Sequence, residues 1–350
     1  FFYLRNYINN IIVFLLYRKQ SKEGFISLDL FKTNNSKIIN SKDLDIIQIN
    51  WINNFLSLND LVRIKKPIVW RLSDMWPFIG VEHFTDSSLW NKKILKKGIF
   101  DLDYSIWKKK KIFLDKNVSV VSPSQWLARK AKKSYLMKNC NITVIPTPID
   151  TKIYRIKKRK KIPKIVPKNK FIILFTAKYL YEKRKGFEYF GKLTKIINKL
   201  YPDKVHFVTV GKYNNEILKI FPYNTTHFGL IKNEKKIVDI YNFSHVSFIL
   251  SKRDNLPQTA LEANMCGLPI ISWNFGGVKE IIKNGLNGKL LNKLNEKEIK
   301  KILDVYIFKK NNRNLNMKIH NFSKKTYSSE IIVKKYLKLY KKILSKTTTY

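Results

Sequence analysis

Cysteine is nearly absent from this chain of 350 residues, in which only Cys140 and Cys266 occur. Two cysteines so far apart cannot build a disulfide framework or a cysteine-based zinc site. Long apolar runs are also missing: the run near the start, Ile11 to Leu16, is far shorter than the roughly 20 residues that span a bilayer. No signal-peptide cleavage pattern follows it. We therefore expect a cytoplasmic protein without a transmembrane helix.

Acidic residues are scarce, since 25 Asp and Glu stand against 69 Lys and Arg and give a formal net charge of +44. Such an excess favours anionic partners, namely sugar nucleotides, phosphorylated lipids, the inner face of an anionic membrane, or nucleic acid. The charge does not select among them. Because much of it is lysine spread along the chain, a background compositional bias is the alternative to a membrane-facing role.

Several nucleotide and hydrolase motifs are missing. The sequence has no Gly-x-Gly-x-x-Gly, no P-loop and no Gly-x-Ser-x-Gly, which argues against dinucleotide oxidoreductases, P-loop ATPases and α/β-hydrolases. Two Asp-x-Asp triplets begin at Asp43 and Asp101. Such triplets are common by chance and Asp45 leads into a predicted buried strand, so we expect no metal site. The hydrophobic content of 44% predicts a globular chain, and its length predicts two domains.

The most informative stretch is 246–291, where strand and helix patterns alternate. An apolar β-type run, Val246 to Leu250, leads into a polar turn that contains Asp254, and Pro257 then opens a helix. Pro269 to Ser272 predicts a second buried strand, and a glycine turn and another helix follow it. This order predicts a βαβ unit, in which ligands bind beyond the carboxyl ends of the strands.

Phosphate is the ligand that this unit favours. A helix N-terminus offers free N–H groups and the positive end of a dipole, and the turn at Gly276 and Gly277 allows a backbone to approach a ligand closely. Asp254 and Glu262 bracket the helix start, and an ionised carboxylate can accept both protons of a vicinal diol. Phosphate donors between two diol acceptors predict a nucleotide-sugar site. The simpler alternative is that Asp254 and Asn255 cap the helix and Glu262 is solvated.

The wording DNLPQTALEANMCGLP in this stretch resembles the donor-binding signature of glycosyltransferase family 4, a retaining GT-B family. It resembles a subgroup associated with capsule, colanic-acid-like and lipopolysaccharide synthesis. The family often has Glu where this chain has Asp254. The resemblance implies transfer of a hexose from a nucleotide-diphosphate sugar to a glycan or lipid-linked oligosaccharide, with no cofactor or metal. It assigns Asp254 to the sugar hydroxyls and Glu262 to the ribose.

The chain before this stretch supplies further donor contacts. A predicted strand, Phe171 to Thr176, is followed by a basic loop and an amphipathic helix, which is a geometry that binds phosphate. In the resemblance Lys185 matches directly, whereas Lys178 stands where arginine is common and lacks its bidentate fork. The residues predicted to bind the nucleotide sugar, besides the two carboxylates, are Lys178, Arg184, Lys185, Gly211, Asn255, Leu256, Pro257 and Thr259.

The first half of the chain shows the same α/β rhythm. Apolar β-type runs predict a covered parallel sheet with strands at Asp45–Trp51, Pro67–Leu72, Val118–Val121 and Asn141–Ile145. Six of the seven tryptophans lie between Trp51 and Trp126. We expect most of them to fill the core, and a platform for sugar rings is the alternative.

The block WRLSDMWPFIGVEHF, residues 70–84, resembles the acceptor-domain segment of the same subgroup. Many family 4 enzymes carry a histidine directly after the second strand, at the place of Ser73. His83 lies in a loop similar to the Glu-His motif of the subgroup, and we select it as a candidate catalytic residue on the acceptor side. A loop histidine at the surface is the alternative.

Together these patterns predict an α/β fold of the GT-B type, with two Rossmann-like doubly wound parallel-sheet domains facing a cleft. The predicted parts are an acceptor domain at 1–151, a solvated basic linker at 152–170, a nucleotide-sugar domain at 171–327 and a C-terminal helix at 328–350 that crosses back to the first domain.

Residues 1–24 predict an aromatic, basic helix that packs on the core, with interfacial membrane binding as the alternative. The family normally begins with a strand and a glycine-rich loop, which these residues do not match. We therefore expect that the chain is truncated or has lost this loop.

A basic nucleic-acid-binding protein is the rival prediction, motivated by the charge and the aromatic content. The sequence shows no recognition module, and a pure binder has no need of Asp254 and Glu262. Nucleic acid is therefore not an expected partner.

Overall fold

The computed structural model describes residues 2–21, 26–52, 55–85, 101–116, 118–158, 161–308 and 312–347. Trp90, one of the tryptophans considered above, lies outside these residues. The chain forms two compact units, of which the first comprises Phe1–Pro146 together with Lys334–Tyr350 and the second comprises Thr147–Val333.

The first unit contains a four-stranded parallel sheet in the order β1-β2-β3-β4. Its strands are β1 Ile47–Ile49, β2 Ile68–Arg71, β3 Ser119–Ser122 and β4 Asn141–Val144. Its helices are α1 Phe2–Ser21, α2 Asn35–Ser41, α3 Leu58–Arg63, α4 Leu102–Leu114 and α5 Gln125–Lys133. All four strands therefore lie where the apolar runs predicted them, three with shorter bounds and β3 shifted by one residue.

The tryptophans of the first unit serve mainly as core. Trp70, Trp76 and Trp107 are buried in its hydrophobic cluster, which confirms core filling for these three. Trp51 differs, because almost half of its surface is exposed.

Helix α1 packs less than its pattern predicted. Among its described side chains, Ile12 and Val13 pack against the hydrophobic core, whereas Leu4, Tyr7 and Ile11 are exposed. The expectation that the apolar side of this helix is buried was therefore wrong for these three residues.

Asp60 ties α3 to the segment before it. Its Oδ1 accepts hydrogen bonds from the backbone N–H and hydroxyl of Ser36, at 3.2 and 2.8 Å, and its Oδ2 accepts from the Ser57 hydroxyl at 2.6 Å and from Thr33. Ser57 and Asp60 form a capping box at the start of α3. Burial alone would raise the pKa of Asp60, but these hydrogen bonds outweigh it and hold the pKa below its ordinary value.

We expect Asp60→Asn to lower the free energy of unfolding by roughly 2 kcal/mol, since hydrogen bonds to an ionised group and a helix cap are lost. Because the folded pKa is depressed, this stability is present above the ordinary pKa of an aspartate and is lost as the pH falls through the folded pKa. Urea unfolding at a series of pH values measures both effects. Asp115→Asn, at an exposed carboxylate, serves as the control, and an equal loss in both variants would contradict the assignment.

The second unit contains a six-stranded parallel sheet in the order β10-β9-β8-β5-β6-β7. Its strands are β5 Phe171–Tyr179, β6 Val205–Lys212, β7 Thr225–His227, β8 Val246–Ile249, β9 Ile270–Trp273 and β10 Gly288–Leu291. From β5 the chain adds β6 and β7 on one side and then returns to the other side with β8. This reversal creates a topological switch point between β5 and β8, where ligands bind in open α/β sheets.

The remaining helices are α6 Phe187–Leu200, α7 Asn215–Leu218, α8 Glu234–Phe243, α9 Gln258–Met265, α10 Val278–Ile281, α11 Glu296–Ile307, α12 Arg313–Tyr327 and α13 Ser329–Thr347. The division between the two units falls within α13, because Lys334 onward belongs to the first unit. Among the described helices, none combines the length and the apolar character that crossing a membrane requires.

The basic segment at 152–170, predicted to be a solvated linker, lies within the second unit. In its described part Tyr154 and Val166 are buried in the hydrophobic cluster of that unit. Just before it, Ile149 exchanges backbone hydrogen bonds with Tyr327 and Ser329, at 2.9 and 3.0 Å. These apolar residues anchor the segment to the second unit despite its charge. The count of lysines and arginines alone did not indicate this anchoring.

Candidate functional site

A basic loop and a loop that carries a carboxylate meet at the switch point of the second unit. The loop after β5 carries Arg184 and Lys185, and the loop after β8 carries Asp254. Lys185 Nζ lies 2.7 Å from Asp254 Oδ2, and Arg184 Nη1 lies 4.0 Å from the same oxygen. The backbone N–H of Lys252 donates to the carbonyl of Arg184 at 2.8 Å and joins the loops. The structure therefore brings Arg184 and Lys185 close to Asp254, which lies about 70 positions later in the sequence.

Gly186 makes this meeting possible. It adopts φ 78°, and a Cβ atom there would lie 2.1 Å from the carbonyl oxygen of Leu250. Only glycine tolerates both the left-handed backbone and the contact. Gly186 ends the short 3-10 turn Lys183–Lys185 and begins α6, so it sets the position from which Lys185 reaches Asp254.

The glycine turn after β9 supports the same loop. Gly276 has φ 59°, and a Cβ atom there would lie 2.6 Å from the carbonyl oxygen of Asp254. The N–H of Gly277 donates to that oxygen at 3.1 Å. The turn thus makes a close backbone approach to the Asp254 loop.

Glu262 is a buried carboxylate, not the solvated helix residue of the simpler alternative. Only 8% of its surface is exposed. The hydroxyl of Tyr241 donates to its Oε2 and the amide of Gln258 donates to its Oε1, both at 2.9 Å. Burial raises the pKa of Glu262, and the hydrogen bonds from Tyr241, Gln258 and Tyr154 oppose this shift only in part. The carboxylate is therefore held in one orientation with acceptor capacity to spare.

The sequence predicted that Pro257 opens the helix. Helix α9 begins one residue later, at Gln258, and Pro257 is the cap residue that precedes it. Pro257 provides no side-chain hydrogen bond to the helix, and the Asp254 carboxylate pairs with Lys185 instead. The N–H groups of the first turn, at Gln258 and Thr259, have no partner within the helix. The turn before it is tightly packed, since Asn255 and Leu256 are buried.

Two further residues predicted to bind the donor, Lys178 and Gly211, contact strand residues in the structure. Strand β5 continues to Tyr179, so Lys178 is a strand residue rather than a loop residue, and its Nζ lies 5.3 Å from the Tyr179 ring centre. Gly211, at φ 147°, packs so closely on β5 that a Cβ atom would lie 1.9 Å from the Ala177 carbonyl oxygen. Its glycine is explained by this strand contact.

The first unit has its own candidate site, a small cavity of about 40 Å³ beside the carboxyl ends of β1 and β2. His83 lines it and is buried, so the surface alternative is wrong. His83 Nδ1 lies 2.6 Å from Asp74 Oδ2, and His83 Nε2 lies 2.7 Å from the hydroxyl of Ser27. A neutral ring that donates from Nδ1 to the carboxylate accepts at Nε2 from the serine.

Two indole rings hold the His83 ring in place. Trp51 stacks on it at 4.7 Å between ring centres and 13° between planes, and Trp76 lies at 6.1 Å and 16°. The cavity wall also includes Ser73. A histidine that stacks on two indole rings and is bonded at both ring nitrogens is held in one orientation.

The sequence did not reveal the partners of Glu262 and His83. Tyr241 belongs to α8 and reaches Glu262 only through helix packing, so no local spacing indicated it. Asp74 had a usable signal, because an acid at the carboxyl end of a buried strand is placed at the ligand edge of a sheet. Asp101 and Asp103, the second Asp-x-Asp triplet, serve the fold: Asp101 caps α4 and Asp103 accepts from the Val81 N–H.

Residues 156–326 match the family described as glycosyl transferases group 1. An uncharacterized 41.2 kDa protein in the cps region of Klebsiella pneumoniae is 25% identical over 221 residues, which are 59% of this chain. The match spans 58% of the length of that relative.

Solved structures share the fold over most of the chain. Sucrose-phosphate synthase from Thermosynechococcus elongatus has a TM-score of 0.68 and 14% identity, over 88% of this chain and 76% of its own. A glycosyltransferase from Rickettsia africae has a TM-score of 0.65 and 18% identity, over 89% and 81%. HepE from Anabaena, solved in complex with UDP, has a TM-score of 0.62 and 15% identity, over 87% and 80%.

These matches agree with the parallel sheets of four and six strands described above. Residues 156–326 resemble a glycosyl transferase group 1 domain, and the chain has the GT-B fold.

Proposed function

We propose that this chain is a retaining glycosyltransferase that moves a hexose from a nucleotide-diphosphate sugar to a glycan or lipid-linked oligosaccharide in cell-surface polysaccharide synthesis. The observation that supports this best is the pairing of Lys185 with Asp254 at the switch point, with Glu262 fixed on the helix that follows. A cation and two oriented carboxylates match a diphosphate and its two flanking sugars.

The donor half of the mechanism is electrostatic. Lys185 and Arg184, together with the N–H groups of the first turn of α9, would neutralise the charge that builds on the departing diphosphate. Asp254 would hold the hydroxyls of the transferred sugar, and Glu262 would accept from the ribose diol. Since protein cations supply the positive charge, the proposed reaction proceeds without a metal ion.

The choice of donor follows from similar proteins. HepE from Anabaena was solved with UDP-glucose, and a pneumococcal O-GlcNAc transferase was solved with UDP and GlcNAc. UDP-sugars are therefore the first donors to test. The capsule-related role is supported by the cps-region location of the Klebsiella relative.

On the acceptor side, we assign His83 as the residue that contacts the reacting hydroxyl. The Asp74 carboxylate orients the ring, and the Ser27 hydroxyl occupies Nε2, the position that a bound sugar hydroxyl would take. Trp51 is partly exposed at the same cavity and offers an apolar face to a sugar ring.

A panel of UDP-, GDP- and ADP-sugars tests the proposed activity, first by binding and then by transfer to glycan acceptors. We expect one donor class to bind, and Lys185→Gln to weaken that binding about tenfold, because a charge-assisted contact to phosphate is lost. Lys183→Gln, at an exposed lysine of the same turn, serves as the matched control. Tight binding of nucleic acid together with no binding of any nucleotide sugar would contradict the proposal.

A further inference from the structure

The first unit contains a second, larger cavity, which we call the basic groove. It lies between the segment at 61–68, the end of α4 and the last three turns of α13. Its volume is about 1070 Å³, at the upper end of the roughly 300–1,000 Å³ of a small-molecule pocket. The chemistry of its walls therefore has to indicate the occupant.

Both walls of the groove carry cations. On α13 they are Lys335, Lys338, Lys342 and Lys346, whose spacings of three, four and four residues place them on one helix face. The opposite wall contributes Arg63, Lys65, Lys66 and Lys116. None of the described residues that line the groove is acidic.

This clustering is costly for the fold itself. Like charges four residues apart on a helix repel each other, and Lys338, Lys342 and Lys346 form two such pairs. Elsewhere the structure neutralises lysines with carboxylates, for example Lys157 with Asp239 and Lys199 with Glu296. Within the part of the chain that the structure describes, no such ion pair is seen for the four α13 lysines. An external anion would remove this repulsion.

The floor of the groove is apolar. Ile68 and Val144 contribute from the sheet, and Leu339 and Ile343 lie between the lysines of α13. An apolar floor below two rows of cations matches an anionic amphiphile, since lysine stems cover apolar surface while their ammonium groups meet phosphate. Single-stranded nucleic acid is bound with the help of exposed aromatic faces on which bases stack, and Phe113, the one aromatic residue among the described lining residues, is fully buried.

We propose that the basic groove docks the chain on a membrane by binding the phosphate headgroup and glycerol region of an anionic phospholipid. This proposal goes beyond the transferase function and does not depend on it. The lysines of α13 and those of the 61–68 segment would hold the phosphate from two sides, and the apolar floor would contact the first part of the acyl chains.

Vesicle sedimentation tests the proposal, with the full chain and vesicles of phosphatidylcholine with or without phosphatidylglycerol. We expect binding only to the anionic vesicles. Replacing Lys335, Lys338, Lys342 and Lys346 with Gln should weaken it on the order of a hundredfold or more, given the contribution of each lysine near an anionic surface. The same variant should unfold at an equal or higher temperature, because the repulsion between the lysines is removed. Its donor binding should stay unchanged, which separates this test from that of the transferase function.

The matched control replaces four exposed lysines outside the groove with Gln, namely Lys297, Lys301, Lys334 and Lys341. It changes the net charge by the same amount and should retain most of the vesicle binding. Equal losses in the two variants would show that total charge alone is responsible and would overturn the proposal. Unchanged binding of the groove variant would overturn it as well, and so would groove-dependent binding of RNA that exceeds binding to vesicles.

Discussion

Glu262→Gln is expected to weaken binding of the nucleotide-sugar donor by about 10- to 100-fold, the loss typical of a hydrogen bond to an ionised group. The substitution preserves the shape of the side chain. One amide oxygen can still accept from Tyr241, but the second acceptor becomes a donor, so a ribose diol loses half of its partner. Isothermal titration with the best donor of the panel measures the effect.

Although its donor affinity falls, the Glu262→Gln variant should be at least as stable as the wild type. Burial raises the pKa of Glu262, which means that the ionised form is held in the fold at a cost. Below the raised pKa the protonated folded state is favoured, so the wild-type chain gains stability as the pH falls through that pKa. Glu262→Gln lacks this pH dependence. Its free energy of unfolding at neutral pH should equal or exceed that of the wild type.

Donor affinity of the wild type should itself depend on pH, because the ribose contact needs the ionised carboxylate. We expect affinity to fall as the pH drops through the raised pKa of Glu262. Glu234→Gln provides the control: Glu234 is exposed and accepts from Tyr154 at 3.4 Å, so its loss should leave donor affinity nearly unchanged. If Glu262→Gln bound the donor as tightly as the wild type, the ribose assignment would be wrong.

Lys110→Met should lower the free energy of unfolding by about 3–5 kcal/mol, the usual result of removing one partner from a buried charged contact. The Lys110 side chain is fully buried. Its Nζ donates to the carbonyl oxygens of Trp76, Ile79 and Gly80, at 2.5, 3.0 and 2.6 Å. It also lies 3.7 Å from the centre of the Trp76 ring.

Burial lowers the pKa of Lys110, and the nearby carboxylates of Asp103, Asp74 and Asp29 counteract this in part. Methionine fills a similar volume but donates nothing, so three buried carbonyl groups would lose their donor. Lys111→Met on the same helix is the control. Lys111 is exposed and pairs with Asp115 four residues on, and its loss should cost less than about 0.5 kcal/mol. Urea unfolding compares the two, and similar stabilities would refute the role of Lys110.

The sequence predicted the four strands of the first sheet, and β5, β8 and β9 of the second, because buried parallel strands read as continuous apolar runs. It also predicted that Lys185 and Asp254 share one edge, since both follow the carboxyl ends of strands. Strand β10 was not predicted. It is a four-residue edge strand with half-exposed positions, so its residues form no buried run.

Lys110 shows why other features were missed. It stands in the run Lys108 to Lys111, which composition marks as a solvated stretch. The helix period gives a different answer, because Lys110 falls on the same face as Ile106, Trp107 and Phe113, all of which are buried. The partner of Glu262 had no comparable signal, since Tyr241 meets it only through the packing of α8 on α9.

The ion pair between Lys185 and Asp254 also bears on which ligands the proposed donor site binds preferentially. Lys185 Nζ lies 2.7 Å and Arg184 Nη1 lies 4.0 Å from the same Asp254 oxygen. Under the proposed function, a nucleotide sugar that draws Lys185 toward its phosphates would offer hydroxyls of the transferred sugar to the Asp254 carboxylate at the same moment. A free nucleoside diphosphate lacks those hydroxyls, and only Arg184 would then remain beside the carboxylate. We therefore expect the ion pair to favour the intact donor over its diphosphate product.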